Sequence, residues 1–215
     1  MTEDDWSLAG DPKPMLDHLK GLASDRKLRL FLCGFCRSVW DRVPSKRSRA
    51  AELYADGLVS ERELGRAYSM ACDVFAQARR RLFGRRGFAW ADRKSEEYDR
   101  LELFAEAAYC HTPMLIGRLK RCTRHSELLV LAPNTLRDIF GNPFRPVMLS
   151  PSWLTNAALG LAEGIYADRA FDRLPILADA LQDAGCEDAG ILAHCRGDGP
   201  HVRGCWVVDG VLGKG

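Results

Sequence analysis

The sequence predicts an all-α protein. Three observations carry that expectation. Apolar residues recur at spacings of three and four along most of the chain, start and stop residues bracket those runs, and strand-like alternation is nearly absent. The expected architecture is a helical bundle. An N-terminal helical region occupies residues 1–132, and a C-terminal module of four or five short helices occupies residues 133–215, with Pro133 marking the boundary.

The first clear helix begins near Ser24, whose hydroxyl suits an N-cap, and it buries Leu28, Phe31, Leu32, Phe35 and Val39. Pro44 ends it. Ser60-Glu61-Arg62-Glu63 is a capping box, in which the serine oxygen takes the Glu63 amide and the Glu63 carboxylate returns to the Ser60 amide. Behind it, Leu64, Tyr68, Ala71, Phe75, Ala78 and Leu82 form the cleanest apolar stripe in the chain, broken by Gly84 and Gly87. A further helix fits Asp92–Tyr109, and another starts at Pro113, where the missing amide costs nothing in a first turn. Leu128–Ala132 is compatible with a short strand or a helix end.

Beyond Pro133, Gly141-Asn142-Pro143-Phe144-Arg145-Pro146 requires a turn or extended loop, because the residue before a proline avoids the helical region. Ser150-Pro151 opens a helix running toward Tyr166. Asp172 caps the next one, which carries Leu174, Leu177, Ala180 and Leu181 and ends at Gly185. Glu187–Arg196 and Pro200–Leu212 supply two more, separated by Gly197-Asp198-Gly199.

Composition narrows the function. A net charge of +2 does not by itself call for a nucleic-acid or membrane partner. No apolar run approaches the roughly 18 residues of a membrane span. Glu3, Asp4 and Asp5 stand where a signal peptide would be basic, so the expected location is cytoplasmic. In that compartment eight cysteines read as thiols, metal ligands or small core residues rather than disulfides.

Three constellations bear on chemistry. Cys33 and Cys36 lie three apart, as do Cys122 and His125. Together they would complete a Cys₃His zinc set, although zinc pairs of this kind usually sit on tight turns and Phe31–Trp40 reads as unbroken helix. Against this stands simple burial of the thiols. The second constellation is His194, Cys195, His201 and Cys205. A thiol site would use Cys205 with His201, four residues away on one helix face, or with His194. Asp172 and Asp209 are candidate third groups, and the same four Cys and His residues are an alternative metal set. The plainer reading packs Cys205, Trp206 and Val208 into the core and leaves the histidines at helix ends. Third, Arg79, Arg80, Arg81, Arg85 and Arg86, near Phe83, Phe88 and Trp90, suit phosphate and base contacts. The intervening Glu96, Glu97, Asp99, Glu102 and Glu106 are poised to neutralise them. Nucleotide-loop, dinucleotide, nucleophile-elbow and metalloprotease motifs are all missing.

The blocks SDRKLRLFLCGFCR (Ser24–Arg37), FDRLPILADALQDAGC (Phe171–Cys186) and ILAHCRGDGPHVRGCWVVD (Ile191–Asp209) carry a family resemblance. The chain resembles an uncharacterised all-helical protein family expanded in planctomycetes, over most of its length and least over Arg79–Arg124. The resemblance implies a helical fold and transfers no catalytic residue. The function expected from all this is a non-enzymatic interaction or adaptor module with a protein partner. Trp6, Trp40, Trp90, Trp153 and Trp206, near helix ends, are its candidate anchors. The alternatives are a zinc-stabilised or nucleic-acid-associated regulatory protein, and a thiol-dependent enzyme built on Cys205.

Overall fold

In the computed structural model, which describes residues 1–39, 45–67, 69, 73 and 126–215, the regular elements are α-helices and short 3-10 turns. Among the described residues there is no strand, and no helix long and apolar enough to cross a membrane. Chain contacts divide the protein into two units, Ala9–Pro133 and Met1–Leu8 with Asn134–Gly215.

In the Ala9–Pro133 unit, α2 (Pro12–His18) follows Asp11, whose carboxylate accepts the Lys13 amide. The helix α3 (Asp25–Val39) starts where the sequence places it, with Ser24 Oγ accepting the Lys27 amide at 3.3 Å. Its apolar face buries Leu28, Phe31, Leu32 and Phe35. It packs on α4 (Ser45–Ala55), tied by Arg26 to Asp56 at 3.0 Å and by Arg37 to the buried Glu52 at 2.9 Å. The capping box forms as expected: Ser60 N donates to Glu63 Oε2 at 2.8 Å, and Glu63 N donates to Ser60 Oγ at 3.3 Å. Residues 61–67, 69 and 73 are helical. The expected helices over Asp92–Tyr109 and from Pro113 lie outside the described residues.

The second unit begins with α1 (Glu3–Leu8). Although residues 1–132 were expected together, this helix groups with the C-terminal residues, and its contacts explain why. Trp6 is buried and its indole N–H donates to Gly141 O at 2.9 Å, while Arg137 donates through Nε and Nη2 to Trp6 O. Asn142 and Arg145 both reach the Glu3 carboxylate. The long helix α5 (Ser126–Phe140), whose residues from Asn134 onward belong to this unit, settles Leu128–Ala132 as helix and runs on through the buried Pro133. It buries Thr135, Leu136, Asp138 and Ile139.

The following helices differ from expectation at their starts. Ser150-Pro151 opens only a 3-10 turn, Pro151–Trp153, and α6 (Asn156–Asp168) starts afresh with Thr155 Oγ1 capping the Ala158 amide. Asp172 does not cap. It sits in a second 3-10 turn, Phe171–Arg173, that feeds α7 (Leu174–Asp183) without a side-chain cap, and Pro175 occupies the first turn. Gly185 ends α7 as expected, at φ +91°, with Cys186 N donating to Leu181 O and Gly185 N to Gln182 O. These two bonds satisfy carbonyls the helix would otherwise leave open. Then α8 (Ala189–Arg196) is capped by Asp188 on the Ile191 amide, and α9 (Trp206–Val211) closes the chain.

These elements enclose one apolar core built from Ala158, Ile165, Leu174, Leu177, Leu181, Ile191, Val207 and Val208, all fully buried. Each large aliphatic side chain so buried contributes about 1.5–3 kcal/mol. That core is the floor on which the polar cluster described next is built.

Candidate metal centre

Asp138 on α5, His194 in the last turn of α8, and His201 and Cys205 in the segment leading to α9 converge. One ligand-type atom from each lies within 4.8 Å of the other three. The group is interior: Cys205 is 0% exposed, and the side chains of Asp138, His201 and His194 are 3%, 9% and 18% exposed.

Local chain geometry explains the convergence. Adjacent residues on a helix diverge by about 100°. Cys195 therefore turns into the apolar core while His194 turns toward Asp138. Gly197 leaves α8 in extended backbone. The segment after it is not the expected helix from Pro200: Gly204 takes φ +97° and Cys205 N donates to Val202 O at 2.9 Å, so His201 and Cys205 meet across a turn and not along a helix face. Asp138 secures this turn, since its Oδ2 accepts the Val202 amide at 2.8 Å.

The remaining distances define the centre. His201 Nδ1 is 2.8 Å from Asp138 Oδ1, and His194 Nε2 is 3.2 Å from that same oxygen and 3.1 Å from Cys205 Sγ. His201 Nε2 faces the Gly197 carbonyl at 3.1 Å, and a carbonyl only accepts, so this nitrogen carries a proton. Nδ1 then faces a carboxylate oxygen with either a second proton or a lone pair. With the proton, His201 is a cation paired to Asp138. With the lone pair, the contact needs either a proton on the Asp138 carboxyl or a cation held by both groups.

Burial alone would lower the His201 pKa, but hydrogen bonding to the Asp138 carboxylate and attraction to its charge raise it above the ordinary value. Burial pushes Asp138 the other way from its net shift, and hydrogen bonds from His194 and His201 together with their charge hold it below the usual carboxylate range. Cys205 is pushed well above the ordinary thiol value by burial and by the Asp138 charge, even though the Val207 and Val208 amides favour its thiolate.

Such an arrangement does not make a relay. A thiol–imidazole–carboxylate relay sets the sulfur on one ring nitrogen and the carboxylate on the other. Here His194 presents the same Nε2 to both. As a ligand set the four residues fit well. Zinc bonds of about 2.0–2.3 Å hold tetrahedral ligand atoms about 3.3–3.7 Å apart, within easy adjustment of the separations seen. One thiolate and one carboxylate cancel the charge of a divalent ion, which suits an interior site. A mixed sulfur, nitrogen and oxygen set also excludes the hard, all-oxygen preference of magnesium and calcium. The buried Asp, two His and Cys form a group that can hold a metal ion. On one side it borders an open cleft of about 290 Å³, lined by Asn134, Arg137, Asp138, His194, Pro200 and His201 among others.

Of the residues singled out in the sequence, the structure thus unites His194, His201 and Cys205, replaces Cys195 with Asp138, and leaves Asp172 exposed in its 3-10 turn. Cys33 is buried against Ala51, Tyr54 and Leu64. The Cys36 side chain, Cys122 and His125 lie outside the described residues, as do Arg79, Arg80, Arg81, Arg85 and Arg86. Of the tryptophans expected to anchor a partner, Trp6 is interior and Trp153 and Trp206 are half-buried on the core, the latter beside the His194 ring. Trp40 and Trp90 lie outside the described residues. No family model, curated protein or solved structure matches the chain.

Proposed function

We propose that this chain is a zinc-binding protein whose metal is held by Asp138, His194, His201 and Cys205, and that it acts as a zinc-stabilised regulatory module. The observation that carries the reading is the convergence of Oδ1, Nε2, Nδ1 and Sγ within 4.8 Å in an interior site. Zinc there would draw the Cys205 proton off and fix α5 to the distant end of α8 and the turn into α9 that follows it. The Cys33/Cys36 pair with Cys122 and His125 is the competing zinc set, and the planctomycete resemblance and a cytoplasmic location remain proposals beside this one. The adaptor reading is compatible with it, since a zinc-fixed surface can dock a protein partner.

The test is metal analysis of full-length protein purified without chelator, as wild type, as Cys205→Ser with His201→Asn, and as Cys33→Ser with Cys36→Ser. The proposal expects about one zinc per chain, lost in the first double variant and retained in the second. Zinc that follows Cys33 and Cys36 would overturn it.

A further inference from the structure

We propose that Trp6 is a positioning residue for the metal centre, and that seating of α1 and loading of the metal favour one another. This rests on the zinc reading above and adds a distant support to it. Three observations carry it.

The first is that α1 has a built seat. Trp6 is 2% exposed, and its indole N–H donates to Gly141 O at 2.9 Å. Arg137 donates to Trp6 O at 3.0 and 3.2 Å, Asn142 donates to Glu3 at 2.8 Å, and Arg145 reaches both Glu3 oxygens at 2.8 and 3.0 Å. A helix of six residues is far below the length that holds in water, so α1 is helical because it is seated. The second is where the seat lies. Arg137 and Gly141 stand on either side of Asp138 at the end of α5, joined by the Gly141 amide donating to Arg137 O at 2.8 Å. Gly141 also lies against Trp206, since an added Cβ would stand 3.1 Å from that ring. Trp206 follows Cys205 in the chain and tilts on the His194 ring at 5.2 Å. Through Gly141, Trp6 therefore bears on both sides of the centre. The third is the cost of assembling the centre. Asp138 and His201 are 63 residues apart, so binding a metal has to hold α5 against a distant turn. With α1 seated, the four ligand groups already converge within 4.8 Å, and ordering that would otherwise oppose binding is done beforehand. Such coupling is reciprocal: if seating raises metal affinity, the metal holds α1 in its seat by the same factor.

The experiment measures zinc affinity of the full chain by competition with a chromophoric chelator, and amide hydrogen exchange over residues 1–8 with and without zinc. In wild type, zinc should slow that exchange. Trp6→Phe keeps an apolar ring in the seat but loses the bond to Gly141 O. Its zinc affinity should fall about fivefold or more, the lower end of coupling between linked sites. Glu3→Gln leaves Trp6 in place and should lower affinity about twofold, as for a surface ion pair. Gly185→Ala is the control, since it strains the backbone at the end of α7 without crowding any neighbour and should bind zinc as wild type does. The wild-type exchange measurement needs no variant to fold. Exchange over residues 1–8 that zinc does not slow overturns the positioning role and leaves the metal site standing, as does an affinity for Trp6→Phe no lower than for Gly185→Ala. A chain that binds no zinc overturns the metal reading and this one with it.

Discussion

Asp138 and His201, 63 residues apart in the chain, meet at 2.8 Å between Oδ1 and Nδ1, and the other Asp138 oxygen takes the Val202 amide. One carboxylate thus determines both the orientation of a ring and the path of the turn that carries it. Removing one partner of a buried charged pair leaves the other uncompensated and costs about 3–5 kcal/mol. Asp138→Ala should lower the stability of metal-free protein by that amount, measured by urea unfolding followed by circular dichroism. A change under 1 kcal/mol would show that the carboxylate does not organise the turn.

The same pair sets a pH window for metal-free protein. His201 is raised from its ordinary 6.5, so its contribution is complete below that value and is lost as pH climbs through the raised pKa. Asp138 is lowered from its ordinary 3.8, so its contribution is complete above that value and is lost as pH falls through the lowered pKa. Thermal melts with chelator present should therefore peak between these limits. His201→Asn should flatten the alkaline side, and a profile unchanged by that substitution would contradict the pairing.

Two glycines with positive φ separate backbone strain from crowding. Gly141 has φ +61° and an added Cβ would lie 3.1 Å from the Trp206 ring, whereas Gly185 has φ +91° and open space. Alanine at Gly185 should cost only the backbone penalty of about 1–2 kcal/mol. Gly141→Ala should cost more, because the ring beside His194 has to give way. Equal urea midpoints for the two variants would contradict this.

Thiol reactivity offers an independent check. Cys186, Cys195 and Cys205 are buried, and burial pushes Cys195 up to about 12. Native protein at neutral pH should leave all three unalkylated, and unfolding in denaturant should expose them. Rapid selective labelling of Cys205 in the native state would instead favour a thiol-dependent enzyme.

Much of this fold was legible in the sequence because it follows local chemistry. Ser24, the Ser60–Glu63 box and Gly185 each act within a few residues of themselves, and all three behave as their side chains dictate. The starts of α6 and α7 were not legible. Ser150-Pro151 and Asp172 are good helix openers, but each is spent on a 3-10 turn before the helix proper begins. In the site, His194, His201 and Cys205 were visible as residue types, yet their geometry was misread. Spacing of four suggested a helix face, while Pro200 and Gly204 instead shape a turn. Asp138 was missed because its partners are 63 and 64 residues away and no periodicity links them. One signal was available: an acid beside Thr135, Leu136 and Ile139 on an inward helix surface is a buried polar group, which calls for a partner.

The central claim is most directly tested by X-ray absorption at the zinc edge on full-length protein purified without chelator. The account predicts one sulfur near 2.3 Å and three nitrogen or oxygen neighbours at about 2.0–2.1 Å, the set supplied by Cys205, His194, His201 and Asp138. Two or three sulfurs around the metal would assign it to the Cys33 and Cys36 thiols instead, and protein that takes up no zinc would contradict the account altogether.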